Sequence, residues 1–107
     1  MKRLVWLGTS LAVVRSFSSV ARQGVGYQLY KVQNGLDPSD WKPMPGIGVG
    51  VREIRIHADK EHRVIYVARF QEAVYVLHAF VKKTQQTSKG DLELAARRFR
   101  ELKKSRG

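Results

Sequence analysis

The stretch Val51-Arg52-Glu53-Ile54-Arg55-Ile56-His57-Ala58-Asp59-Lys60-Glu61-His62-Arg63-Val64-Ile65-Tyr66-Val67-Ala68-Arg69-Phe70-Gln71-Glu72-Ala73-Val74-Tyr75-Val76-Leu77-His78-Ala79-Phe80-Val81-Lys82-Lys83-Thr84 decides the fold. Three runs rich in Val, Ile, Tyr and Phe, Val51–His57, His62–Phe70 and Ala73–Val81, are separated by polar breaks of hairpin length at Ala58–Glu61 and Gln71–Glu72. β-branched and aromatic side chains suit a pleated, half-buried surface. The pattern predicts a three-stranded antiparallel meander. In the first run Ile54 and Ile56 share a face with Arg52, and Glu53, Arg55 and His57 share the other. The second run is apolar on both faces between Arg63 and Arg69, as a central strand requires.

Upstream, Arg3–Leu7 reads as a first strand, and Gly8-Thr9-Ser10 as the turn into a helix over Leu11–Phe17. Lys2-Arg3 before an apolar run also imitates a signal peptide, but Gly8-Thr9-Ser10 interrupts that run and Arg15 follows it closely. The apolar run falls short of the ~20 residues a membrane-spanning helix needs. Ser18 or Ser19 can cap a second helix from Val20 to about Gln33, which Asn34-Gly35 ends. Trp41–Gly50 is a Pro/Gly-rich connector, with Trp41 expected as a core anchor. Its Gly46-x-Gly48-x-Gly50 spacing precedes a strand and lacks the Lys-Ser/Thr of a phosphate loop, so it does not predict a nucleotide site. Ser88 with Asp91 resembles a capping box at the head of a last helix, Lys89 to Lys104. Leu92, Ala95, Ala96, Phe99 and Leu102 form its apolar stripe, and Arg97, Arg98, Arg100, Lys103, Lys104 and Arg106 its cationic remainder. The fold class is α+β, an antiparallel sheet with helices packed on one face.

A chain of 107 residues has the length of one domain, residues 1–107. Its 20 Lys and Arg against 9 Asp and Glu give +11, an excess that favours a polyanionic partner such as nucleic acid. Without cysteine there is neither a disulfide framework nor a thiolate metal site, in accord with the cytoplasm. His57, His62 and His78 lack metal-ligand spacing and an accompanying carboxylate cluster, so neither metal nor cofactor is expected.

Val51-Arg52-Glu53-Ile54-Arg55-Ile56, Arg63-Val64-Ile65-Tyr66-Val67-Ala68 and Val76–Thr84, in this order and after Trp41-Lys42-Pro43-Met44, resemble the RelE/ParE superfamily. The likeness is greatest to its HigB-like, phage-derived branch of toxins from type II toxin–antitoxin systems. The resemblance implies a RelE-like twisted antiparallel sheet with two N-terminal helices on one side, a cationic groove opposite and a C-terminal helix. It implies a toxin that cleaves mRNA on the ribosome, in hetero-oligomeric complex with a helix-turn-helix antitoxin. The same superfamily holds gyrase-directed toxins without nuclease activity, and a non-catalytic RNA-binding module would share the charge.

Metal-free RNA cleavage needs a proton acceptor for the 2′-hydroxyl, cations on the phosphorane and a proton for the leaving 5′-oxygen. The resemblance assigns Arg63 to the scissile phosphate, projecting from its strand end into the groove, with Arg55 on the preceding strand and Lys83 just after the last. His78 is the histidine best placed to move a proton, although a lone strand histidine is more often structural. Arg52, Lys82 and His57 are the expected RNA-binding neighbours. An acidic general base is not evident. The N-terminal helices, around Phe17 to Tyr30, are the expected antitoxin surface.

Overall fold

A computed structural model describes residues 1–107. The elements run β1 (Arg3–Trp6), α1 (Ser10–Arg15), α2 (Ser19–Gln33), β2 (Trp41–Pro43), β3 (Val51–His57), β4 (Glu61–Val67), β5 (Ala73–Val81) and α3 (Lys89–Ser105). The five strands form one sheet in the order β1-β5-β4-β3-β2. The meander is present: β3 pairs antiparallel with β4, and β4 with β5. Trp41-Lys42-Pro43, expected as connector, adds a short antiparallel edge strand against β3. β1 runs parallel to β5, Arg3 opposite Ala73, so the sheet is mixed. The class is α+β as expected, with one parallel edge pair.

The helices lie on both faces of the sheet, which corrects the expectation of a single covered face. α1 and α2 bury Val14, Phe17, Ala21, Val25, Leu29 and Val32 against Ile54, Ile56, Val64, Tyr66, Val74, Val76 and Ala79. α3 buries Ala95, Phe99 and Leu102 against Val51, Ile65, Val67, Leu77 and Phe80. The charged side of β3 therefore faces a second core. Met44 and Phe70 join that core from the loops. β4 ends at Val67, earlier than the run to Phe70 suggests, because Phe70 must turn off the strand to reach α3. Gly48 lies so close to Phe99 that an added Cβ would sit 2.0 Å from the ring, so packing explains that glycine. Trp41 is half-buried outside both cores.

Helix boundaries follow local chemistry. The Ser18 hydroxyl accepts from the Ala21 amide at 3.3 Å and starts α2. The Ser88 hydroxyl accepts from the Asp91 amide at 3.1 Å and starts α3, with the Asp91 carboxylate in the favourable first turn. No helix is long and apolar enough to cross a membrane.

β5 carries a bulge. Ile65 pairs with His78 but Tyr66 with Val76, leaving Leu77 as the extra residue. Strict alternation from Val76 would send His78 toward α1 and α2. The extra residue turns Leu77 and His78 both toward α3. Arg98 of α3 donates to the Leu77 carbonyl at 2.9 Å and to the Thr9 hydroxyl at 3.1 Å, tying α3, the bulge and the head of α1 together. Removing these charge-assisted bonds in Arg98→Ala should lower the unfolding free energy by about 1.5–3 kcal/mol. Urea denaturation measures this, and a loss near zero would show that Arg98 does not hold the bulge.

Candidate functional site

The site is built on the α3-facing side of β3 and β4. Arg55 and Arg63 are direct cross-strand partners there, and Arg63 in turn pairs with Phe80. Between the guanidinium groups lies Glu53, which has no exposed surface. Its Oε1 is 3.8 Å from Arg63 Nε, 3.9 Å from Arg55 Nε and 4.0 Å from Lys42 Nζ. Its Oε2 accepts from the Thr87 hydroxyl at 3.1 Å, so the segment after β5 closes over it. A buried carboxylate must be compensated by charge. Here the compensation is a field of three cations at distances too long for hydrogen bonds. Glu53 Oε1, Arg55 Nε and Arg63 Nε are all buried without a hydrogen-bond partner.

Arg63 does not project into an open groove. It is 4% exposed, donates to the His62 carbonyl at 3.0 Å and reaches Glu61 Oε1 at 3.2 Å. Two carboxylates of this face hold it inward, which corrects the expectation of a free strand-end arginine. Arg55 is the more open of the pair, its side chain 32% exposed.

His78 joins the same face through the bulge. Its Nε2 is 2.7 Å from Asp91 Oδ1 at the head of α3, and its ring stacks on Phe80. Its Nδ1 has no partner. His57, exposed at the end of β3, bridges Asp40 at 2.6 Å and Glu61 at 2.7 Å. His57 and His78 thus have carboxylate partners that come from the turn before β2, from the start of β4 and from α3. His62 faces the other core, packed on Phe17. No group of three or more His, Asp or Glu side chains is arranged to hold a metal ion.

Lys82 and Lys83 follow β5 at the rim. The Lys82 amide donates to the Glu61 carbonyl, and Lys83 lines a cleft of about 490 Å³ with Lys60, Phe80, Thr84, Ser88 and Asp91. Arg52 is not part of this face. It points toward the α2 side, its guanidinium 3.9 Å from the Trp41 ring centre and 2.9 Å from Asp37. That placement separates Arg52 from Arg55 and Arg63 by the thickness of the sheet, as the two-residue period dictates. Among the α3 cations, Arg98 is committed to the bulge and Arg106 to Glu72, which it pulls down to about 2.

The residue that sequence reasoning missed is Glu53. Its signal was present: an acid on an alternating strand, sharing a face with Arg55. Helices on one face alone would leave that side of β3 open, whereas α3 and the segment after β5 cover it.

The chain matches the family described as Phage derived protein Gp49-like (DUF891) over residues 12–100. It belongs to that family. The match begins within α1, runs through β5 and takes in most of α3, and so includes Glu53, Arg55, Arg63, His78 and Lys83. No curated protein matches the chain.

The His57 bridge makes a pH prediction. Its hydrogen bond to Asp40, then that to Glu61, raises the imidazole above its ordinary 6.5, and the bond to His57 lowers Glu61 below its ordinary 4.5. A raised histidine stabilises the fold fully below its unfolded pKa and loses that contribution as pH rises through the folded value. A lowered carboxylate contributes above its unfolded pKa and loses the contribution as pH falls through the folded value. The stability advantage of the native protein over His57→Gln should peak between 4.5 and 6.5 and shrink above that window. Urea unfolding of both proteins across pH tests this, and a pH-independent difference would contradict it.

Proposed function

We propose that this protein is the toxin of a type II toxin–antitoxin module, a member of the RelE/ParE superfamily close to its HigB-like branch, and that it cleaves mRNA on the ribosome without a metal. The observation that carries this reading is the cross-strand pair Arg55 and Arg63, with guanidinium N–H donors unspent, on the face to which the bulge also delivers His78. Family membership supports the toxin class. The motifs of β3, β4 and β5 support the enzymatic branch by resemblance.

In the proposed reaction the RNA phosphate meets Arg55 first, and Arg63 once Glu61 swings aside. Glu61 is able to do so, since its side chain is 46% exposed. Glu53 touches no substrate and acts as a positioning residue, holding both guanidinium groups at one place. His78, held at Nε2 by Asp91, takes the 2′-hydroxyl proton at Nδ1, which is buried and unpartnered until RNA binding uncovers it. The 2′-oxygen attacks phosphorus, the bond to the 5′-oxygen breaks, and a 2′,3′-cyclic phosphate and a 5′-hydroxyl result. Lys83, at the rim, supplies the proton to the leaving oxygen, and Lys82 and His57 steer the backbone of the RNA.

The antitoxin, a small helix-turn-helix protein, docks on α2 in this reading. Val20, Tyr27 and Tyr30 are 66%, 61% and 56% exposed there, more apolar area than a solvent-facing helix needs.

Induced expression with mapping of mRNA 5′ ends tests the reading. Translation should stop and new 5′ ends appear within translated messages. Arg55→Ala, which lies in the more open position, should reduce cleavage at least 100-fold while the protein still folds. Coexpression of a helix-turn-helix protein encoded beside the toxin should restore growth, and a Tyr27→Arg, Tyr30→Arg variant should escape it. Growth arrest with intact mRNA and gyrase-dependent DNA breaks would replace this function by the gyrase-directed one. Tight RNA binding with neither cleavage nor arrest would leave a binding module.

A further inference from the structure

The opposite side of the sheet carries a second cluster of cations that the proposed nuclease face does not use. Where the end of α2 meets β3 and β4, a partly enclosed cavity of about 240 Å³ is lined by Lys2, Asp37, Gly50, Arg52, Tyr66 and Arg69, among others. Three cations meet one carboxylate, so the cavity is electropositive. Tyr66 is 1% exposed and its hydroxyl, faced by the Arg52 guanidinium, has no acceptor for its proton. Burial pushes its pKa up, with Arg52 opposing, so the hydroxyl keeps its proton and is a donor in search of an acceptor. A buried hydroxyl without a partner is destabilising unless something else satisfies it.

The arginines are held ready rather than spent. Arg52, directly across from Tyr66 on β3, lies on the Trp41 ring, gives Nη1 to Asp37 and faces the Tyr66 hydroxyl. Arg69 gives only Nε to the Val49 carbonyl and lies over the Phe70 ring at 4.3 Å. Both guanidinium planes are fixed by an aromatic ring while nitrogen donors remain unengaged. Gly50, at φ +80°, admits Arg69: a Cβ there would fall 2.7 Å from Arg69 Cδ.

We propose that this cavity is a binding site for a compact phosphate group, either free phosphate or a small phosphomonoester. Planar guanidinium forks and a phenolic donor match tetrahedral oxyanion geometry, and the +11 chain draws anions to it. The volume is below that of ordinary drug-sized pockets, which begin at about 300 Å³, and suits one phosphate with little attached. The site is independent of the nuclease reading, since it shares no residue with the face of Arg55 and Arg63.

The test is titration of the full chain with inorganic phosphate, and separately with ribose 5-phosphate, at constant ionic strength, followed by amide NMR shifts. Saturable shifts should appear at Gly50, Arg52, Tyr66 and Ala68. Tyr66→Phe should weaken binding at least tenfold while the ligand-free unfolding midpoint stays level or rises, because an unsatisfied hydroxyl has gone. Arg69→Gln, at the exposed mouth, should weaken it without relying on the core. Arg97→Gln with Arg100→Gln, on exposed α3, should bind as the native protein does. Tighter binding of ribose 5-phosphate assigns the site to phosphomonoesters, and equal affinity assigns it to phosphate itself. Shifts that do not saturate, that spread over α3, or that survive in Tyr66→Phe and Arg69→Gln would overturn the proposal as general attraction to a polycation.

Discussion

Glu53 is the constraint on which the rest of the structure turns. A carboxylate with no exposed surface sits in the middle of a sheet, on a strand whose other inward residues are Val51, Ile54 and Ile56. An isolated charge there would be far too costly, so cations must come to it. Arg55 comes from the same strand, Arg63 from the next and Lys42 from the edge strand, and Thr87 comes from the segment ahead of α3. Such clusters stabilise a fold less than apolar packing of equal volume would. Their presence is better understood as the means by which two arginines, otherwise repelling across a strand pair, are kept together on one side of the sheet.

The second constraint is the bulge in β5. One extra residue decides which core His78 enters, and Arg98 secures that choice from α3. Charge on this protein is divided accordingly. Arg98 and Arg106 hold α3 to the sheet, Arg63 is sheathed by Glu53 and Glu61, and Arg52 belongs to the far face. The α3 cations Arg97, Arg100, Lys103 and Lys104 remain at the surface. Net charge alone therefore says that a polyanion is attracted, and the fold says which few cations can meet it at a defined place.

Much of the architecture was legible because it rests on local periodicity. The meander, the caps at Ser18 and Ser88 and the stripe of α3 all follow from spacing within a few residues. The cross-strand pairing of Arg55 with Arg63 was not legible: a four-residue break at Ala58–Glu61 sets Arg55 opposite Val64, whereas β4 begins at Glu61 and shifts the register by one. What sequence could not supply were contacts through space. Nothing local says that α3 crosses to the side opposite α1 and α2, and without that fact Glu53, Arg55 and His57 read as a solvated face. The bulge is likewise silent, since Val76-Leu77-His78-Ala79 is apolar enough to be read in either phase. Asp40 and Asp91 lie far along the chain from the histidines they hold. The parallel pairing of β1 beside β5 depends on a tertiary return of the chain that no short pattern encodes.

A double-mutant cycle between Glu53 and Arg63 tests most directly whether the buried carboxylate organises this face. Glu53→Leu and Arg63→Met, alone and together, are compared by urea unfolding. Each single change removes part of the compensation of a buried charge and should cost about 3–5 kcal/mol, whereas the pair should cost less than the sum. Additive losses, with no coupling between the two positions, would contradict the account.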